Sequence, residues 1–169
     1  MSIDKDWIKE LQKGNQEALE IVYDKYYRLV FYIANYITND KEVSEELVQD
    51  TFLKVWNNAA SFKFNTNFKS WITTIAKNTA IDYRRSKKQY YLLDTDKECD
   101  LKNNNKLCEY GIDARKVLSK LEYDVLAFTI IYNLKRREVA KLLNKPTGTI
   151  SRVYFDGINK LRDFYKNDG

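Results

Sequence analysis

Apolar residues recur at three- and four-residue steps along most of this chain, the spacing of one buried helix face. A short helix is predicted over Asp4 to Lys13, and a long one from Gln16 to about Thr38 with Leu19, Val22, Tyr26, Leu29, Val30, Ile33 and Ile37 inward. Asn15 offers that helix an N-cap oxygen. Tyr23, Tyr27, Tyr32 and Tyr36 lie outside the stripe, either as contact surface or packed between helices. Thr38-Asn39-Asp40 breaks the pattern. A third helix follows from about Lys41 to Trp56 or Asn57, burying Val43, Leu47, Val48, Thr51, Phe52 and Val55. Its outward face is acidic with an apolar spot: Glu42, Glu45, Glu46, Gln49, Asp50 and Leu53.

The polar stretch Asn58 to Asn67 reads as a loop carrying Phe62 and Phe64. Each could plug the local core or stack on an unpaired base. Phe62 is the better plug, and Phe64 the better candidate for contact. A fourth helix spans Phe68 to Lys88, with Phe68, Trp71, Ile72, Ile75, Ala76, Thr79 and Tyr83 on its apolar stripe. Thr73, Lys77, Arg84 and Lys88 form a polar stripe interrupted by Ile81, with Asn78 and Arg85 beside it. Such a face suits either solvent or a phosphate backbone. From about Gln89 to Cys108 the chain is acidic and Asn-rich without a sustained period, which predicts a partly flexible linker.

Four shorter helical segments are predicted in the last third. Gly111 to Lys120 leads to Tyr123–Asn133, whose apolar positions are Val125, Leu126, Phe128, Ile130 and Ile131; Arg136–Leu143 and Thr147–Tyr165 follow. Asn144-Lys145-Pro146 joins the last two, with Thr147 or Thr149 as the expected cap of the second. That is the spacing of a helix-turn-helix, in which Ala140 suits a close helix crossing, Asn144 a left-handed turn and Ile150 an inward anchor. Thr147, Thr149, Ser151 and Arg152 then face outward, able to reach base edges or phosphates. Helix pairs of this kind also occur without DNA.

Composition narrows the class. One proline, five glycines and abundant helix formers favour an all-α fold, and the length suits one mid-sized domain or two small helical domains, the latter joined by the flexible linker. No long apolar run or leader pattern is visible, so a soluble cytoplasmic protein without membrane insertion is the default. The net charge of +5 is unevenly spread: −3 over residues 1–68, +5 over 69–88, −2 over 89–109 and +5 over 110–169. Two basic patches suggest polyanion contacts at two places, and the acidic surface a different partner. Histidine is absent, which excludes histidine-dependent triads and zinc-hydrolase sites. Cys99 and Cys108 match neither a zinc knuckle nor a redox pair and are read as ordinary reduced thiols. No segment gathers a nucleophile with an arginine cluster or a carboxylate metal site, so no enzyme, metal or cofactor is expected.

SEELVQDTFLKVW, FKSWITTIAKNTAIDYRR, a linker, and LKRREVAKLLNKPTGTISRV, in this order and spacing, resemble the extracytoplasmic-function (ECF) sigma factors of bacterial RNA polymerase. The resemblance implies a region-two-like domain over residues 1–88, a linker over 89–109 and a region-four-like domain over 110–169. It implies that Glu46, Gln49, Asp50 and Leu53 dock on the clamp of the polymerase largest subunit. The loop with Ser61, Phe64 and Asn65 would capture a flipped minus-ten base, while Lys77, Asn78, Arg84, Arg85 and Lys88 hold the melted strand. Thr147, Thr149, Ser151 and Arg152 would read the minus-thirty-five element while their domain rests on the polymerase flap. An anti-sigma protein is a further partner that the resemblance implies. Three departures from the family pattern stand out: Lys135 for a capping Ser or Thr, Asn144 for a turn Gly, and Val153 with Asp156 where many members carry Arg. The last moves phosphate grip towards Arg152. The alternatives are a stand-alone helix-turn-helix regulator, or a sigma-derived interaction protein that no longer melts promoters.

Overall fold

The computed structural model describes residues 3–91 and 114–167, apart from the side chains of residues 3–5, 88–91, 115 and 167. The chain divides into two compact units, Met1–Asn105 and Lys106–Gly169. Every regular element among the described residues is helical.

The first unit contains α1 (Ile3–Gln12), α2 (Gln16–Thr38), α3 (Lys41–Asn58) and α4 (Phe68–Tyr91). Local chemistry sets the ends. Asn15 accepts from the Glu17 amide at 2.9 Å to start α2, and Asn39, in the left-handed conformation, stops it. Asp40 caps α3 by accepting from the Val43 amide at 3.1 Å, and its carbonyl accepts from the Ser44 hydroxyl. Asn67 accepts from the Ser70 amide at 3.0 Å ahead of α4.

Helices α2, α3 and α4 pack on one another, and α1 closes against α2 and a 3-10 turn at Ala59–Ser61. Val30, Ile33, Val48, Val55, Ile72 and Ala80 are wholly or almost wholly enclosed. Burying each of the larger aliphatic side chains is worth about 1.5–3 kcal/mol, enough to offset the ordering of a helix face. The tyrosines outside the α2 stripe are half-buried, and Tyr23 packs on Phe52 of α3 with ring centroids 4.6 Å apart. Packing is thus their observed setting.

Two expectations in this unit are corrected. Thr73 was placed on the polar face but is buried, because its hydroxyl donates to the Lys69 carbonyl at 2.7 Å and its polarity is satisfied within the helix. The linker was expected from residue 89, yet α4 continues through Tyr91. Most of that linker, Cys99, Cys108 and the predicted helix start at Gly111 lie outside the described residues.

The second unit contains α5 (Ala114–Val117), α6 (Lys120–Leu126), a π turn at Ala127–Ile131, α7 (Arg136–Leu143) and α8 (Thr147–Asn167). The helix expected to reach Lys120 stops at Val117, because Ser119 and Glu122 form a capping box that starts α6. Ile130 and Ile131 are exposed, although the helical period groups them with Val125 and Phe128. The widened turn, in which the Tyr132 amide donates to the Ala127 carbonyl at 3.0 Å, rotates them outward.

Ala114, Leu118 and Leu126 pack with Tyr154, Ile158 and Leu161 of α8. Gly157 lets α8 approach α6 closely, since a β-carbon there would lie 3.0 Å from Leu126 Cδ1. At the same crossing Lys160 Nζ reaches the largely buried Glu122 carboxylate at 2.8 Å. Burial pushes the Glu122 carboxyl up, but hydrogen bonds from Lys160 and Ser119 and the Lys160 charge more than reverse this, leaving it below the ordinary value.

Candidate polymerase and nucleic-acid interface

The inward residues of α3 fix what its opposite side presents. With Val43, Leu47, Val48, Thr51, Phe52 and Val55 buried, Glu46, Gln49, Asp50 and Leu53 are all exposed, Leu53 at 60%. A buried core therefore holds an acidic strip with a leucine in it towards solvent. On the neighbouring α2, burial raises the Tyr23 hydroxyl above its ordinary range, and Tyr27, Asp24 and Glu45 add to this.

Between α3 and α4 the chain is held at one end and open at the other. Phe62 is buried, its ring 5.2 Å from Phe68 and 5.4 Å from Trp71, which makes Trp71 part of the core edge. Phe64 leans edge-on against Phe62 at 5.8 Å but stays 38% exposed. Asn65 is exposed beside it, and the exposed Ser61 hydroxyl donates to the Asn58 carbonyl at 2.7 Å. The loop is pinned from a distance by Gln12 of α1, whose Nε2 donates to the carbonyls of Ala59 at 3.0 Å and Phe62 at 2.9 Å. Gln12 carries no sequence signal for this task.

On α4, Asn78, Arg84 and Arg85 are exposed and Lys77 is half-buried, on the side away from Ile72, Ala76 and Ala80. The Lys88 side chain lies outside the described residues. Lys54 of α3 donates to the Thr79 hydroxyl at 3.1 Å, tying the two helices together. Acidic and basic faces of neighbouring helices thus flank a loop with an exposed aromatic ring.

In the second unit, Ala140 is buried under α8, Ile150 is fully buried, and Asn144 adopts φ 52° and ψ 49°. The Lys135 amide donates to the Glu138 carboxylate at 2.7 Å, so α7 is supported despite the missing Ser or Thr. Neither Thr147 nor Thr149 caps α8. The Pro146 carbonyl takes the first helical bond, from the Ile150 amide at 3.1 Å, so Pro146 holds the cap position and the threonines lie inside the helix. Thr147, Thr149 and Arg152 are exposed and Ser151 is half-buried. Arg152 Nε sits 3.7 Å from the Asp156 carboxylate. The Arg136 guanidinium lies over two α8 rings, 5.5 Å from the centre of Tyr154 and 5.3 Å from that of Phe155, and Phe155 is 55% exposed. Only the adjacent aromatics at 154 and 155 hinted at this in the sequence.

Among the described residues no cluster of three metal-ligating side chains occurs, and no helix is long and apolar enough to cross a membrane.

Residues 22–90 match the family model for sigma-70 region 2. Over 173 residues the chain is 26% identical to the ECF RNA polymerase sigma factor SigW of Bacillus subtilis, covering 92% of each chain. It is 40% identical over 73 residues to a probable RNA polymerase sigma factor of Haemophilus influenzae, covering 43% of this chain and 37% of the relative. Among solved structures, the sigma factor RpoE of Bartonella quintana, bound to the anti-sigma factor NepR, gives a TM-score of 0.61 at 23% identity over 94% of this chain and 99% of that one. CnrH, bound to the cytosolic domain of CnrY, gives 0.59 at 17% identity over 99% and 100%. At these identities the structures show a shared fold. Residues 22–90 thus match sigma-70 region 2 over α2 to α4, and the chain is similar along nearly its whole length to an ECF RNA polymerase sigma factor.

Proposed function

We infer that the protein is a transcription initiation factor: it joins bacterial RNA polymerase core in the cytoplasm, directs it to specific promoters and assists their melting, without covalent chemistry of its own. The observation that carries this reading is the first unit's surface, an acidic face and a basic face on adjacent helices with the exposed Phe64 loop between them. Opposite charges side by side suit two partners held together, one protein and one nucleic acid.

In this reading residues 1–88 act as region two. Glu46, Gln49, Asp50 and Leu53 meet the clamp of the largest subunit; Ser61, Phe64 and Asn65 receive a flipped minus-ten base; Lys77, Asn78, Arg84 and Arg85 hold the melted strand. Residues 110–169 act as region four. Their α7–α8 helix-turn-helix offers Thr147, Thr149, Ser151 and Arg152 to the minus-thirty-five element, and the unit rests on the flap. Residues 92–109 serve as the linker. An anti-sigma protein is a further partner in this reading, supported by the similar RpoE, which is bound to the anti-sigma factor NepR.

The test is transcription with footprinting. Purified protein added to core polymerase starts RNA synthesis at a defined promoter and protects both elements. Stable core association without RNA would leave a sigma-derived interaction protein, and specific duplex binding without polymerase a stand-alone regulator.

A further inference from the structure

We propose that the second unit grips the phosphate backbone with α7, centred on Arg136, and not with its presumed reading helix α8. The proposal rests on the minus-thirty-five reading given above and adds to it where the electrostatic contact lies.

Charge in the helix pair is unequally divided. Residues 135–145 carry Lys135, Arg136, Arg137, Lys141 and Lys145, all exposed, against Glu138 alone. The Glu138 carboxylate is turned back on the Lys135 amide. The first three turns of α8 hold one cation, Arg152, and one anion, Asp156, and the two are paired at 3.7 Å. Val153 adds nothing to that face. A helix start without net charge gains little from a polyanion, whereas a strip of five cations releases condensed counterions when it meets one.

Geometry selects Arg136 within the strip. Its guanidinium lies over Tyr154 and Phe155, so the charge is held beside α8. Stacking on two rings holds the planar group in place before DNA arrives while its donors stay exposed, a role that lysine's point charge fills less well. Arg137 and Lys141, four residues apart, continue the basic strip along α7. Residues of α8 are then left to read bases while α7 sets the register.

Holoenzyme reconstituted from the full chain and core, bound to a promoter fragment that it selects from random sequence, is titrated over a range of KCl. Arg136→Ala is expected to weaken binding roughly eightfold at about 0.1 M salt and to reduce the log–log salt slope by about one. Arg136→Lys keeps the slope but loses several-fold in affinity. Asp156→Ala, which releases Arg152, tightens binding and steepens the slope. Circular dichroism of each variant matches the parent. If Arg136→Ala leaves affinity and slope unchanged while Arg152→Ala lowers both, the grip lies on α8 and the proposal falls alone. If the parent holoenzyme gives no upstream footprint, the minus-thirty-five reading fails and takes the proposal with it.

Discussion

Gln12 holds the loop ahead of α4 from 47 to 50 positions away, and removing its amide isolates that contribution. Gln12→Ala deletes two part-buried hydrogen bonds. Each is worth about 0.5–1.5 kcal/mol net, and water can reach part of the site, so the loop loses roughly 1–2 kcal/mol. The Ala59 carbonyl also accepts from the Phe62 amide at 3.1 Å, so the loss falls on an amide whose exchange can be followed. At about tenfold per 1.4 kcal/mol, hydrogen exchange at Phe62 should accelerate roughly five- to thirtyfold, with amides in the middle of α2 and α3 unchanged. Gln12→Glu has the same size but no donor, and sets a carboxylate against two carbonyl oxygens. It should loosen the loop at least as much. Equal acceleration throughout the unit would mean a global effect, and a Glu variant that exchanges like the parent would make packing, not hydrogen bonding, the cause. Either outcome refutes the reasoning.

Other expectations bear on the faces themselves. Glu46→Lys combined with Asp50→Lys reverses charge at exposed positions; thermal unfolding should barely move, while co-purification with core polymerase is lost, and normal co-purification would mean that the acidic face is merely solvated. Phe64→Ala should weaken binding of holoenzyme to a single-stranded minus-ten oligonucleotide by about 1–3 kcal/mol, read by fluorescence anisotropy, whereas unchanged binding would remove Phe64 from base capture. Glu122 is held below its ordinary value in the folded state, so its pairing stabilises α6 against α8 above the unfolded carboxylate range and is lost as pH falls through the lowered folded value. Glu122→Gln should therefore abolish that part of the acid sensitivity, measured as the pH dependence of unfolding followed by exchange in α6 and α8. An unaltered acid profile would assign it to other groups.

Long amphipathic segments were legible because they repeat their signal over several turns, as α2 does from Gln16 to Thr38; the shorter α7 also runs Arg136–Leu143 as the spacing predicts. Errors arose where one local bond overrides the period. Thr73 satisfies its own hydroxyl and so can sit inside, the π turn swings Ile130 and Ile131 outward, and Pro146 takes the cap position expected of a threonine. The exposure of Glu46, Gln49, Asp50 and Leu53 was likewise readable, since charge and helical period agree there. Gln12 and Arg136 were not. Their partners lie on other elements, and neither composition nor periodicity records which side chain meets which backbone across a fold.

Trp71, packed at the edge of the first unit's core, gives the molecule an optical property. All three tryptophans, Trp7, Trp56 and Trp71, belong to the first unit, while the second carries tyrosine and phenylalanine only. Emission excited selectively from tryptophan therefore follows the first unit alone. Trp71 touches Phe62, and Phe62 carries Phe64, so this indole is two ring contacts from the residue proposed to meet a base. The chain carries a native fluorophore beside its proposed point of strand capture.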